Sequence, residues 1–185
     1  MGGTIQTVAK DVKLQIEFNP AQVKGYRLIG YENRMMAAQD FSNDKKDAGE
    51  IGCGHTVTAL YEIIPAGSNE KVPSIDTLHF RKTDPAGNQN NELAYLKARY
   101  KNPGKEDTTS ILMQTNVNPV VTETLNTSDN FKLASSVAEF GLLLRNSQYK
   151  GNANFENVSD RLKKINSADP NGYKTELMAL VTKAA

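Results

Sequence analysis

A single cysteine, Cys53, two histidines, His55 and His79, and no tryptophan stand in a chain of 185 residues. Each shortage removes a class of function. One thiol cannot close an intramolecular disulfide, so the core must hold without covalent staples, and the redox compartment stays open. Cys53, His55 and His79 share no metal-type spacing, which argues against a zinc ligand set. Charge of one sign is also missing: 22 Lys and Arg face 21 Asp and Glu, for a net charge of +1. Such a balance makes no long-range field for a phosphate backbone or an anionic lipid surface, so nucleic acid and membrane surface are poor partners. No stretch approaches the roughly 18 apolar residues that cross a bilayer. Met1-Gly2-Gly3-Thr4 has neither the basic start nor the apolar run of a secretory signal, and Gln6 breaks the myristoylation pattern. This lack of an address fits a fragment of a longer protein, and a short cytosolic protein would look the same.

What is present divides by periodicity. Val12, Leu14, Ile16 and Phe18 alternate with Lys13, Gln15 and Glu17, the period of two that marks a strand with one wet face. Asn19-Pro20 reads as a turn, and 22–31 as a second strand. Residues 55–64 predict a third, with Val57, Ala59, Tyr61 and Ile63 on one side. Residues 92–101 predict a fourth and 108–114 a weaker fifth. The polar stretch 65–91 reads as a long loop, with room for a brief strand near 77–81.

After Asn126 the period becomes helical. Residues 129–145 place Ala134, Val137, Ala138, Gly141 and Leu144 on one stripe with Leu133, Phe140 and Leu143 beside it, which predicts the most buried helix, capped by Ser128. A shorter helix carries Phe155, Val158, Leu162 and Ile165. Asp169-Pro170 supplies an N-cap and a first-turn proline for a last helix with Tyr173, Leu177, Leu180, Val181 and Ala184. Strands first and helices last predict an α+β fold: an antiparallel β-sandwich or sheet over 4–125, with about three helices over 126–185 packed on it as one structural unit.

The polar residues admit few chemical readings. Asp40-Phe41-Ser42-Asn43-Asp44 is a near miss for an Asp-x-Ser-x-Ser cation loop, with Asp where the last Ser belongs and no β-branched strand before it. Phe41 reads better as the anchor of a polar loop. Asp44, Lys45, Lys46, Asp47 and Glu50 read as a solvated turn with weak surface ion pairs. Cys53 and His55, two apart on a predicted strand, invite a hydrolase with a cysteine nucleophile; a buried, inert Cys in the bend made by Gly52 and Gly54 is the favoured reading. Glu17, Glu32 and Glu62 come from three strands, and nothing in their spacing makes them converge. Glu32 reads as an ion-pair partner of Arg27 or Arg34.

One stretch is specific in wording without catalytic spacing. Gly25-Tyr26-Arg27-Leu28-Ile29-Gly30-Tyr31-Glu32-Asn33-Arg34, then 44–52 and His55-Thr56-Val57-Thr58-Ala59-Leu60-Tyr61-Glu62, follow Ala9 to Pro20; far downstream come Val137 to Ser147 and Tyr149-Lys150-Gly151. Together these segments resemble the domain of unknown function that follows the von Willebrand factor type A domain in a family of bacterial envelope proteins. The resemblance runs from Thr4 to the last helix. It implies a non-catalytic C-terminal accessory domain, with a lipoprotein-type signal, an N-terminal flank and the type A domain upstream. The divalent cation would belong to that upstream domain, and no cofactor is expected in this segment. Localisation would be the cell envelope, or the cytoplasm if Met1 is a native start. The resemblance also implies an interface: Tyr26, Arg27, Tyr31, Glu32, Asn33, Arg34, Glu50, His55 and Glu62 would meet the type A domain or its flank, or else an unknown protein ligand. These residues could instead only hold turns, with Arg34 paired to Glu50 or Asp47. A ligand-binding sandwich is the remaining alternative.

Overall fold

The computed structural model describes residues 6–31, 35–70, 91–104, 109–120 and 126–185. The class is α+β: antiparallel strands precede three helices. The chain forms two compact units, Met1–Pro119 and Val120–Ala185.

In the first unit the strands are β1 (Thr7–Phe18), β2 (Val23–Ile29), β3 (Gly49–Gly52), β4 (Leu60–Pro65), β5 (Ala94–Lys101) and β6 (Ile111–Val117). They make a four-stranded sheet in the order β3-β1-β5-β6 and a two-stranded ribbon of β2 and β4, antiparallel throughout. The turn at Asn19 joins β1 to β2: its carbonyl accepts from the Gln22 and Val23 amides, and its side-chain amide donates to Glu92 O at 2.8 Å. Phe18 packs against Tyr26 with the rings tilted and 4.5 Å apart and meets Tyr61 edge-on at 5.5 Å, which ties the ribbon to the end of the sheet.

Several expected boundaries move. The predicted strand at 55–64 begins only at Leu60, and Val57 is exposed, because a turn at Cys53-Gly54 ends the preceding pairing. The fifth predicted strand lies three residues later, at Ile111–Val117. β3, read as part of a solvated turn, pairs with β1 through two register shifts. The long loop at 65–91 and its possible brief strand fall largely outside the described residues.

At the middle of β1 the expected burial is reversed, although Glu17 is exposed as expected. Leu14 is 60% exposed and Lys13 only 5%. The register places Leu14, Ala98 and Met113 in one row, with Ile16, Leu96 and Thr115 beside it, so this side of the sheet is apolar. The opposite side, carrying Lys13, Arg99 and Lys101, is covered in part by the segment 38–48, whose Phe41 is buried beneath it.

In the second unit α1 (Asp129–Leu144), α2 (Phe155–Lys163) and α3 (Tyr173–Ala184) surround a core of Phe140, Val158, Leu162, Ile165 and Val181. Ser128 caps α1 as expected, accepting from the Phe131 amide at 3.2 Å. The most deeply buried helix is α2, however: Val158 and Leu162 have no exposed surface, while Val137 and Leu144 of the predicted α1 stripe face outward. A stripe of small residues marks α1 as apolar on that side, but Phe140, with Leu133 and Leu143 beside it, sets the side that packs on the core. Asp169 is not the N-cap of α3 and Pro170 is not in its first turn: left-handed Gly172 holds the N-cap position, and the Asp169 carboxylate reaches the Lys174 and Thr175 amides from three residues further back.

Candidate interaction surface

The ribbon brings Arg27 and Glu62 together and sets Tyr26 on its other side. Antiparallel register sets Arg27 opposite Glu62, and their side chains form a cross-strand ion pair through both the Nε and Nη2 of Arg27. Arg27 thus pairs with Glu62, a partner the spacing did not suggest, and the expected pairing of Glu32 with Arg27 or Arg34 falls outside the described residues. Tyr26, one residue earlier, points to the other side with Leu28, Tyr61 and Ile63, and more than half of it remains exposed beside Phe18. Partial burial pushes the Tyr61 phenol above its ordinary range, and the Tyr26 phenol adds to the shift.

Tyr31 lies just beyond β2 and, like Gly30, has a left-handed backbone, with φ of 61° against 76° for the glycine. Its hydroxyl donates to Thr58 O at 3.1 Å, on the segment leading into β4. Glu32, Asn33 and Arg34 lie outside the described residues. Glu50 stands elsewhere, on β3, where it accepts from the Thr7 hydroxyl at 3.1 Å across the strand pair. His55 follows β3, and its amide donates to Gly52 O at 3.0 Å. With Gly54 at φ of 72°, this is the geometry of a type II turn, which puts Cys53 and Gly54 at the two corners.

That turn also corrects the reading of the thiol. Cys53 is exposed rather than buried, because the bend hangs off the short edge strand β3. Cys53 and His55 do not share a strand face, so the spacing that invited a nucleophile and base is absent. Glu17 and Glu62 likewise sit on different sheets: Glu17 pairs with Lys97 at 3.8 Å in the larger one, and Glu62 with Arg27 in the ribbon.

The segment 38–48 is held far more firmly than a solvated turn. The Lys13 ammonium donates to Asn43 O at 2.5 Å and Asp40 O at 3.3 Å, and Lys101 donates to Asp44 O at 2.7 Å. The Asp44 carboxylate accepts from the Ser110 amide at 3.2 Å; the Ser110 hydroxyl and amide, with Arg99 and Lys101 nearby, hold its pKa below the usual carboxylate range. Lys101 also pairs with Asp11 at 2.8 Å, and this ammonium, aided by the Ala48 amide, lowers the Asp11 pKa against the opposing effect of burial. Asp11 occupies the bulge between Lys10 and Lys13 with φ of 51°, a left-handed conformation that Asp tolerates better than most residues. Arg99 lies over the Phe41 ring at 5.5 Å.

Carbonyl oxygens at Asp40, Asn43 and Asp44 are what a hard cation would use, and here lysine ammonium groups take them. The donor set does not fit a divalent cation. Among the described residues, no three of His, Cys, Asp and Glu come together as a metal-holding group. Sequence reasoning found Phe41 as the anchor but missed Lys13, Arg99 and Lys101. Their only local signal is a run of basic residues on one side of two strands, which reads as a wet face until the covering segment is in place.

Comparison with known proteins places this architecture. No solved structure matches the chain. Along 178 residues it is 38% identical to the Uncharacterized protein YfbK of Escherichia coli (strain K12), an alignment that covers 95% of this chain and 29% of that relative. The chain therefore spans less than a third of the relative's length. A family described as "Uncharacterized protein YfbK, C-terminal" matches residues 3–185. With nearly every residue inside that match, the chain belongs to the family of YfbK C-terminal domains.

Proposed function

We propose that this chain is a non-catalytic accessory domain that follows a von Willebrand factor type A domain in a bacterial envelope protein, and that its first partner is that preceding region. The observation that carries the reading is the partial coverage of the relative: a C-terminal family aligned to 29% of a longer protein is a module with a large neighbour. The ribbon offers suitable chemistry, since Tyr26 and Tyr31 are exposed aromatic residues with polar tips, a type enriched where proteins meet. In this reading the divalent cation sits in the type A domain with no ligand from this chain. A lipid anchor holds the protein at the envelope, and adhesion or another protein contact there is the task served.

The test is association in trans between this chain and the separately produced N-terminal region of the full-length protein, followed by calorimetry. Tyr26→Ala and Tyr31→Ala should each weaken binding by about 1–2 kcal/mol while the far-UV spectrum is unchanged. If the substitutions lower only the melting temperature, these tyrosines hold the ribbon and its turn, and the interface assignment fails. An upstream reading frame without an apolar strand ending in Asp-x-Ser-x-Ser would overturn the architecture itself.

A further inference from the structure

The two edges of the four-stranded sheet are treated differently. β3 closes one edge with four residues, a glycine at each end, the charged Glu50 and two register shifts, all of which discourage a further strand. At the other edge β6 has none of these protections, and among the described residues no strand pairs with its outer side. Its seven residues, Ile111-Leu112-Met113-Gln114-Thr115-Asn116-Val117, pair with β5 without any shift, and every one except Val117 is exposed. It contains no proline and no charge, and it is the only described strand without a charged residue. The uncharged run continues on both sides, from Thr109 to Val120. Exposed, uncharged edges of this kind are templates for strand addition.

We propose that β6 is a self-pairing edge, and that its partner is β6 of a second copy of this chain, antiparallel about a two-fold axis at Gln114. This goes beyond the accessory role proposed above and does not depend on it. Three features of the strand favour a second copy. In this register Gln114 lies opposite Gln114 of the partner subunit, Met113 opposite the partner's Thr115, and Ile111 opposite the partner's Val117. Odd-numbered residues thus meet odd-numbered ones, and the apolar side that holds Leu14, Ala98 and Met113 runs unbroken from one sheet into the next. No charge meets a like charge, because the strand has none. Seven residues of edge pairing bury less than the roughly 1,200 Å² of a small stable interface, so the dimer is weak and concentration-dependent.

Gln114 provides the test. Within its own sheet it lies opposite Lys97, so Gln114→Glu adds a favourable neighbour there while placing two carboxylates against each other across the two-fold axis. Sedimentation equilibrium of the whole chain, across a concentration series into the millimolar range, should show the wild type passing from monomer to dimer. Gln114→Glu and Gln114→Lys should each weaken self-association by roughly fivefold with unchanged circular dichroism, while Lys97 opposite makes the Glu variant slightly more and the Lys variant slightly less heat-stable, so that only loss of the dimer is common to both. An equimolar mixture of the two variants should restore the dimer, now as a heterodimer. A wild type that stays monomeric throughout overturns the proposal, as does a dimer indifferent to both variants or a mixture that fails to rescue. Pairing of β6 only with a segment of the upstream region would also overturn it.

Discussion

Ser136 is the smallest side chain in the interior of the helical unit and the least settled. It has no exposed surface, and its hydroxyl has no partner. An unsatisfied buried hydroxyl costs more than the packing it contributes, and alanine is also the better helix former. Ser136→Ala should therefore raise stability by about 1 kcal/mol, read from the urea midpoint at constant slope. Asp129 is the opposite case. Its carboxylate accepts from the Asn166 amide at 3.0 Å and the Ser167 amide at 2.8 Å, and it pairs with Lys132 at 3.0 Å, so one side chain at the start of α1 fixes the segment after α2. Asp129→Ala should lower the melting temperature more than Ser128→Ala, which removes a single cap bond. Equal losses would mean that the distant amides find water at no penalty.

Among the elements, β1 shows best why reading the sequence succeeded in part. The alternation from Val12 to Phe18 does lie within the strand, but β1 begins five residues earlier, at Thr7, beyond a bulge that breaks the period, and alternation says only that two faces differ. Which face is covered depends on 38–48, a segment with no regular period whose carbonyls need donors. The aromatic Phe41 marked that segment as anchored; nothing local marked Lys13 as its counterpart. The helices were legible because caps and spacing act within one turn, as Ser128 shows, whereas Asp169 lies too far ahead of α3 to be its N-cap, and β3 is too short for any period and exists only because β1 lies beside it. Of the surface residues singled out, the Arg27 and Glu62 pair required the β2 and β4 register, which no spacing reveals. The clamp by Lys13 can be measured. Lys13→Met keeps the aliphatic stem but leaves Asp40 O and Asn43 O short of a donor, so it should cost about 1–3 kcal/mol and speed amide exchange across 38–48. Unchanged exchange there would mean that Phe41 alone holds the segment.

For the molecule as a whole, acid is the condition that tests these bonds together. Asp11, Asp44, Asp129 and Asp169 are all held below the usual carboxylate range. Their first causes are, in turn, the Lys101 ammonium, the Ser110 hydroxyl, the Lys132 ammonium and the Thr175 amide. A lowered folded-state pKa means that the unfolded chain takes up protons first, so the stabilisation is complete above about pH 4–5 and is lost as pH falls through the folded values. The melting temperature should be level from pH 5 to 8 on account of these groups and fall below about pH 4; a flat profile down to pH 2 would contradict the assigned partners. The central place of β1 has a further consequence, on the ribosome. Among the strands of its sheet β1 is made first, yet β5, the neighbour that completes its inner pairing, follows about 80 residues later, a delay of about 4–16 s at ordinary rates of synthesis. Over that interval the nascent strand has apolar residues on one side and no β5 to pair with, while Lys13, Gln15 and Glu17 keep its other side hydrated. β3 leaves the ribosome well before β5, so the short edge strand is the first neighbour that β1 can take up, and it guards one flank of the strand until β5 arrives.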